Sequence, residues 1–143
     1  MAIQSKHIFV NLPVKDLDKS MEFFSNMGFE FNEQMTDKNA ACLIVGSNMY
    51  VMLLVEEYFQ QFSKKQLSDA KTSTEVIVSI TADSRAGVDE LVNDALAAGG
   101  TASSEKMDNE FMYGWSFEDI DGHLWEVMYM PDNDDDSDEE FYA

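Results

Sequence analysis

The chain has 143 residues, enough for one domain with a proper core. Its formal charge is −19, and 45% apolar with 12% aromatic residues fit a folded globule rather than a disordered segment. Seven acids between Asp132 and Glu140 account for part of the charge, and the remainder is still about −12. Such a surface repels phosphate backbones and anionic bilayers, which excludes nucleic acid and membrane as partners. There is no apolar run of membrane-spanning length. The start, Met1 to His7, lacks the basic and apolar regions of a signal peptide. The single cysteine, Cys42, forbids an intramolecular disulfide, so a cytoplasmic location is expected. Cys42 lies in Ala40–Val45, a strand-like apolar run, and reads as a small buried hydrophobe.

The first predicted strand is His7–Leu12, with His7, Phe9 and Asn11 on one face. Asp16 then caps a helix carrying Leu17, Met21, Phe24 and Met27, and Gly28 ends it. Strands follow at Phe29–Thr36, Ala40–Val45 and Met49–Val55, separated by the turn-rich Asp37-Lys38-Asn39 and Gly46-Ser47-Asn48. Glu56–Leu67 reads as a helix with Tyr58, Phe59 and Phe62 on one side, and Ser68–Ser73 as a polar connector.

The order then repeats. Glu75–Thr81 is a strand, Asp83 or Ser84 caps a helix over Arg85–Ala98, and Gly99-Gly100 stops it. Three strands follow at Thr101–Lys106, Phe111–Glu118 and His123–Met130. The chain thus reads strand, helix, three strands, twice: an internal structural repeat. The expected fold is α+β, two βαβββ modules forming an open curved mixed or antiparallel sheet around a central cavity, with helices on the outer face. The modules span about 6–55 and 74–131, with a linker helix in 56–73. Residues 1–131 make one domain, and 132–143 an acidic tail.

The final strand carries the most informative residue. Leu124, Glu126 and Met128 share one face, while Trp125, Val127 and Tyr129 share the other. A carboxylate on an otherwise apolar face must be paired, hydrogen-bonded or metal-bound, unless that face is simply solvated. Phe111, Tyr113 and Trp115 alternate along the preceding strand. Tyr113, Trp115 and Met128, with Phe9 and Met52, are the candidate lining of an apolar, aromatic ligand pocket; plain core packing is the competing reading. No nucleophile elbow, phosphate loop or Cys/His metal spacing occurs.

Two stretches, Val14-Lys15-Asp16-Leu17-Asp18-Lys19-Ser20-Met21-Glu22-Phe23-Phe24 with Gly28-Phe29, and Asp119-Ile120-Asp121-Gly122-His123-Leu124-Trp125-Glu126, resemble the vicinal-oxygen-chelate superfamily. That group includes glyoxalase I, fosfomycin- and bleomycin-resistance proteins and extradiol dioxygenases. The likeness covers roughly residues 6 to 131. His7–Val14 and Met52-Leu53-Leu54 resemble its "predicted lactoylglutathione lyase" branch.

The resemblance implies a U-shaped sheet around a pocket and, in the metalloenzymes, four inward ligands from the first and fourth strands of each module. The metal there holds two neighbouring substrate oxygens and stabilises an oxyanion. Carried onto this chain, the four positions fall on Phe9, Met52, Glu75 and Glu126. Glu75 and Glu126 suit a hard divalent ion, whereas Phe9 and Met52 do not. His7 lies on the face of Phe9, about 6.6 Å along the strand, and is either a displaced ligand or an end-of-strand histidine with no role. His123 points away from Glu126. The expected cofactor is none, or a weakly bound Ni, Mn, Zn or Fe ion. Without a cation, Glu75 and Glu126 facing each other would make either a general base. A lone arginine, Arg85, and an acidic body argue against an anionic glutathione cosubstrate. The leading expectation is a small-molecule-binding protein with a degraded metal site. The alternative is a metal-dependent lyase, isomerase or dioxygenase. The resemblance also implies a homodimer, with the site within one chain or between two.

Overall fold

The computed structural model describes residues 2–131. The acidic tail lies outside them. The N-terminal module opens with strand β1 (Ile8–Val14) and helix α1 (Leu17–Asn26). Asp16 caps α1 by accepting the Lys19 amide at 3.2 Å, as a short acceptor side chain before an amphipathic run should. Gly28 follows at φ +102°, the left-handed conformation that lets the chain turn back. Strands β2 (Glu30–Asn32), β3 (Ala40–Gly46) and β4 (Met49–Val55) complete a four-stranded sheet of order β1-β4-β3-β2. β1 runs parallel to β4, and the other pairs are antiparallel.

The expected strand over Phe29–Thr36 is shorter because Asn32 accepts the Gln34 amide and starts a 3-10 turn, Glu33–Met35. The expected helix over Glu56–Leu67 is also shorter: α2 covers only Glu56–Gln60. Beyond it Ser63-Lys64-Lys65-Gln66 has no apolar stripe to bury. The Gln60 side chain instead donates to the Ser63 and Lys65 carbonyls and ends the helix.

The C-terminal module repeats the plan with β5 (Ile77–Thr81), α3 (Arg85–Ala97), β6 (Thr101–Ala102), β7 (Met107–Asp108), β8 (Tyr113–Glu118) and β9 (Leu124–Tyr129). Ser84 caps α3 at the Gly87 amide, 2.9 Å away. The sheet order is β5-β9-β8-β6, with β7 also on β8 and β5 parallel to β9. The predicted strand Thr101–Lys106 is thus only Thr101–Ala102, and a separate short strand follows beyond it at Met107–Asp108. The α+β architecture of two βαβββ modules is as the sequence implies, built as two separate hydrogen-bonded sheets.

One core serves both modules. Leu12, Val14, Leu43, Val51 and Leu53 bury the inner face of the first sheet, and Phe117, Trp125 and Val127 that of the second. Helix α1 joins them: Phe23 packs 6.2 Å from Phe117, and Phe24 5.1 Å from Trp125, centroid to centroid. Each fully buried phenylalanine contributes about 1.5–3 kcal/mol. The faces opposite this core are left open, and they carry the candidate site.

Candidate functional site

Strand register decides which side chains meet. β9 pairs Glu126 with Ser79 of β5 and Ser116 of β8. Ser79 Oγ donates to Glu126 Oε1 at 3.0 Å. Glu126 is half-buried on the open face with Leu124 and Met128, the facing that alternation predicts. Ser116 on this face is buried and sits 2.7 Å, oxygen to oxygen, from Ser104, so the β6–β7 connection folds over that edge.

Glu75 is elsewhere. It is exposed, lies ahead of β5, and lines a 390 Å³ cavity with Gly122, His123 and Leu124. The ladder sets Ser79, not Glu75, against Glu126, so the facing pair of carboxylates expected from the sequence does not form within one chain. The reason is register: β5 enters the sheet at Ile77 opposite Leu124, which leaves Glu75 outside the ladder.

Phe9 and Tyr50 are partners across β1 and β4 and stack at 4.9 Å. His7 joins them, 5.8 Å from Tyr50 and 6.3 Å from Phe9. Met52 pairs with Asn11 on one side and Cys42 on the other, so all three share the open face of the first sheet. Cys42 is fully buried there and burial raises its thiol pKa, the behaviour of an inert packing thiol. A 690 Å³ cavity covers this face, with Asn11, Met52 and Leu54 as its floor and Tyr58, Phe59 and Phe62 as one wall.

Tyr113 and Trp115 belong to the other side of the second sheet. They pair with Tyr129 and Val127, opposite in facing to Glu126, and so do not line a pocket with it. Tyr113 donates to Asp89 Oδ1 at 2.6 Å, which raises the phenol pKa and lowers that of the carboxyl. Lys106 lies 4.6 Å over the Trp115 ring and 3.2 Å from Asp89. Both aromatics therefore hold α3 and the β6–β7 segment to the sheet. Of the five candidate pocket residues, Met52 lines the large cavity, Phe9 and Met128 lie on open faces, and Tyr113 and Trp115 are core. Counting outward from the Asp119–Gly122 turn pairs Glu118 with Leu124, hence Trp115 with Val127, and that count was available in the sequence.

The Asp-Gly turn itself is a buried polar clamp. Asp119 accepts the Asp121 and His123 amides on Oδ1 at 2.9 and 3.0 Å, and Trp125 Nε1 on Oδ2 at 3.0 Å. Burial is the main influence on Asp119 and raises its pKa; His123 and the three N–H donors pull the other way. Asp121 reaches the first module, accepting the Lys15 amide at 2.9 Å and Ser20 Oγ at 3.0 Å. His123 Nε2 lies 2.6 Å from the Pro13 carbonyl, so that nitrogen donates. His123 is thereby committed to joining the modules and is turned away from Glu126. No spacing rule marks Asp121 and Ser20 as partners, since 101 positions separate them.

The donor set fits a divalent metal poorly. Phe9 and Met52 offer no hard ligand, Ser79 faces Glu126, and Glu75 lies off the ladder. Among the described residues, no group of three or more His, Cys, Asp or Glu side chains converges on a common point.

The comparisons agree with this architecture. Residues 6–46 match the family described as bleomycin resistance protein-like N-terminal. No curated protein matches the chain. Among solved structures, hypothetical protein SA1046 from S. aureus is 34% identical over 90% of this chain and 95% of that one, with a TM-score of 0.74. A glyoxalase-related enzyme from Fulvimarina pelagi is 16% identical over 90% of each chain, with a TM-score of 0.76. The fosfomycin resistance protein FosX from Listeria monocytogenes, complexed with Mn(II) and sulfate, is 17% identical over 100% of each chain, with a TM-score of 0.65. With two βαβββ modules and the Asp-Gly turn ahead of Glu126, the chain has the fold of these glyoxalase-related and fosfomycin-resistance structures, and its first module matches the bleomycin resistance protein-like N-terminal family.

Proposed function

We propose that this protein binds a small, largely apolar organic molecule, using a superfamily fold whose metal site is degraded. One observation carries the reading: the positions where metalloenzyme relatives place two ligands are a phenylalanine stacked on Tyr50 and a methionine flooring a 690 Å³ cavity. That volume lies within the usual range for ligand pockets, and its wall is aromatic. Soft, unbranched Met35 and Met52 adapt to irregular apolar shapes. The test is metal content per chain, on protein without a histidine tag, before and after dialysis against Ni, Mn, Zn and Fe salts. The reading expects substoichiometric metal in every case and an organic molecule recoverable from the purified protein. Near-stoichiometric metal that disappears in Glu126→Gln would overturn it.

A metal-dependent lyase, isomerase or dioxygenase is the second reading. Glu126 on the open face after an intact Asp-Gly turn favours it, as does the Mn(II) in FosX. Its residues are Glu126, Glu75 and His7, which one chain does not bring together. It therefore requires a second copy to supply the missing ligands. Unchanged activity and metal content in Glu126→Gln would remove it.

The working unit we propose is a cytoplasmic homodimer. Exposed apolar residues at the ends of the edge strands, Ile8, Met49 and Ile77 at 61%, 50% and 51% exposure, support pairing through the sheet edges. Among the described residues, no helix is long and apolar enough to cross a membrane.

A further inference from the structure

The 690 Å³ cavity has a neighbour. The 390 Å³ cavity that ends at Glu75 shares three of its wall residues, Asn11, Phe59 and Ser63. Phe59 of α2 thus stands at a junction with space on both sides. The lips of the larger cavity are Met35, 43% exposed on the 3-10 turn, and Phe62, 69% exposed beyond α2. Exposed apolar side chains at the mouth of a concave space lose their water when an apolar group enters it.

The charges facing this space are few. Asp37 lines the larger cavity, but its Oδ1 already accepts the Asn39 and Ala40 amides. Glu75, Lys65 and His123 line the smaller one, and His123 Nε2 is held by the Pro13 carbonyl. Among the described residues, the Glu75 carboxylate makes no ion pair or side-chain hydrogen bond, and neither does the Asn11 carboxamide. The walls therefore carry two acids against one lysine, in a chain of net charge −19. A cation is drawn into such a space and an anion is repelled. Phe59, which borders both cavities, adds a ring face on the Glu75 side that favours a cation further.

We infer that the two cavities are one bent groove around Phe59, and that it takes an elongated cationic amphiphile. The apolar segment lies against Met35, Met52 and Phe62. The amine or quaternary ammonium end lies at Glu75. The assignment rests on the ligand-binding reading above and gives it a ligand class and an orientation. It also gives Glu75 a role that needs no metal and no closeness to Glu126.

The test is calorimetric titration of the full chain with three probes of equal tail, each below its micelle concentration: octyltrimethylammonium, octyl glucoside and octyl sulfate. The cation is expected to bind about fivefold or more tightly than the neutral probe, and the sulfate most weakly. Glu75→Gln should remove the cation's advantage and leave octyl glucoside affinity unchanged. Phe59→Trp, which fills the junction, should weaken all octyl probes. Phe59→Ala, which opens the junction instead of filling it, should retain binding, and thermal melts report whether each variant is folded. Equal affinities for the three probes, unaltered in Glu75→Gln, would overturn the cationic end while ligand binding stands. Unchanged affinities in a folded Phe59→Trp variant would overturn the single groove. No binding of any probe would overturn the ligand-binding reading itself.

Discussion

Ser79 and Glu126 are register partners on parallel strands, joined by a 3.0 Å hydrogen bond from hydroxyl to carboxylate. The acidic group that the sequence singles out thus meets a neutral donor on an open face rather than a second acid. A half-exposed bond of this kind contributes about 1 kcal/mol or less. Ser79→Ala should therefore lower unfolding free energy by no more than that in urea titrations. Glu126→Gln, which keeps an acceptor for the hydroxyl, should shift the melting temperature by only about 2 °C. A loss of several kcal/mol in either variant would mean that Glu126 has a partner beyond Ser79.

Asp119 is the opposite case, a buried carboxylate fully occupied by three N–H donors. Asp119→Ala strands the Trp125 indole N–H and two amides, so unfolding free energy should fall by about 3 kcal/mol or more. Asp119→Asn keeps the size but turns an amide donor towards one of those donors, and should be nearly as costly. Urea denaturation of both variants checks this, and a loss below 1 kcal/mol would contradict the clamp.

The same residue predicts a pH dependence of unusual sign. Burial raises the Asp119 pKa in the folded state above its ordinary value near 3.8. The folded chain then takes up this proton before the unfolded chain does, so on acidification this group adds stability rather than removing it. The effect is absent well above the raised value, grows as pH falls through it, and is complete below 3.8. The stability difference between the parent and Asp119→Asn should accordingly widen from pH 7 towards pH 4. A difference that narrows over that range would show that the N–H donors outweigh burial.

The sequence makes the plan of the fold legible because turn chemistry and period are local. Gly46-Ser47-Asn48 sets the start of β4, and Asp16 the start of α1, where the structure has them. The alternation of Leu124, Glu126 and Met128 gives the facing of Glu126 correctly. The same rule misplaces Tyr113 and Trp115 because Phe111, Tyr113 and Trp115 are aromatic at every second position whichever face is core. Only pairing with β9 fixes their phase. α2 stops early because Gln60 finds carbonyls beyond its own helix. The ties from Asp121 to Lys15 and Ser20 are long-range and leave no periodic trace. The groove around Phe59 is equally hidden, since its walls come from β1, the 3-10 turn, α2 and the linker.

The linker is held by the turn it crosses. Gly122 sits at φ +92°, and a Cβ placed on it would lie 2.9 Å from the Lys71 nitrogen and 3.0 Å from the Ala70 carbonyl carbon. Backbone cannot swing aside as a side chain can. Gly122→Ala should therefore cost about 2 kcal/mol or more through strain and displacement of residues 70–71. Asp121→Ala removes the bonds to Lys15 and Ser20 without touching the linker. Hydrogen exchange should separate the two: Gly122→Ala loosens the linker amides, including Ser73 on Asp69, while Asp121→Ala loosens the start of α1. The same exchange pattern in both variants would mean that the clamp and the linker open as one unit.

Pairing of two copies gives the last expectation. Ile8 pairs with Met49 in the first sheet and Ile77 opens β5 in the second; both strands are sheet edges, and all three side chains are at least half exposed. An uncovered edge with apolar ends is a site where another strand or sheet adds. The net charge of −19 opposes association at long range, so dimerisation should strengthen as salt screens that repulsion. Sedimentation of the parent chain should give a dimer whose dissociation constant falls between about 10 mM and 150 mM salt, while Ile77→Glu remains monomeric in both. A monomeric parent at both salt concentrations would leave the open faces to small molecules alone. A dimer unaffected by Ile77→Glu would place the contact on another surface than the β1 and β5 edges.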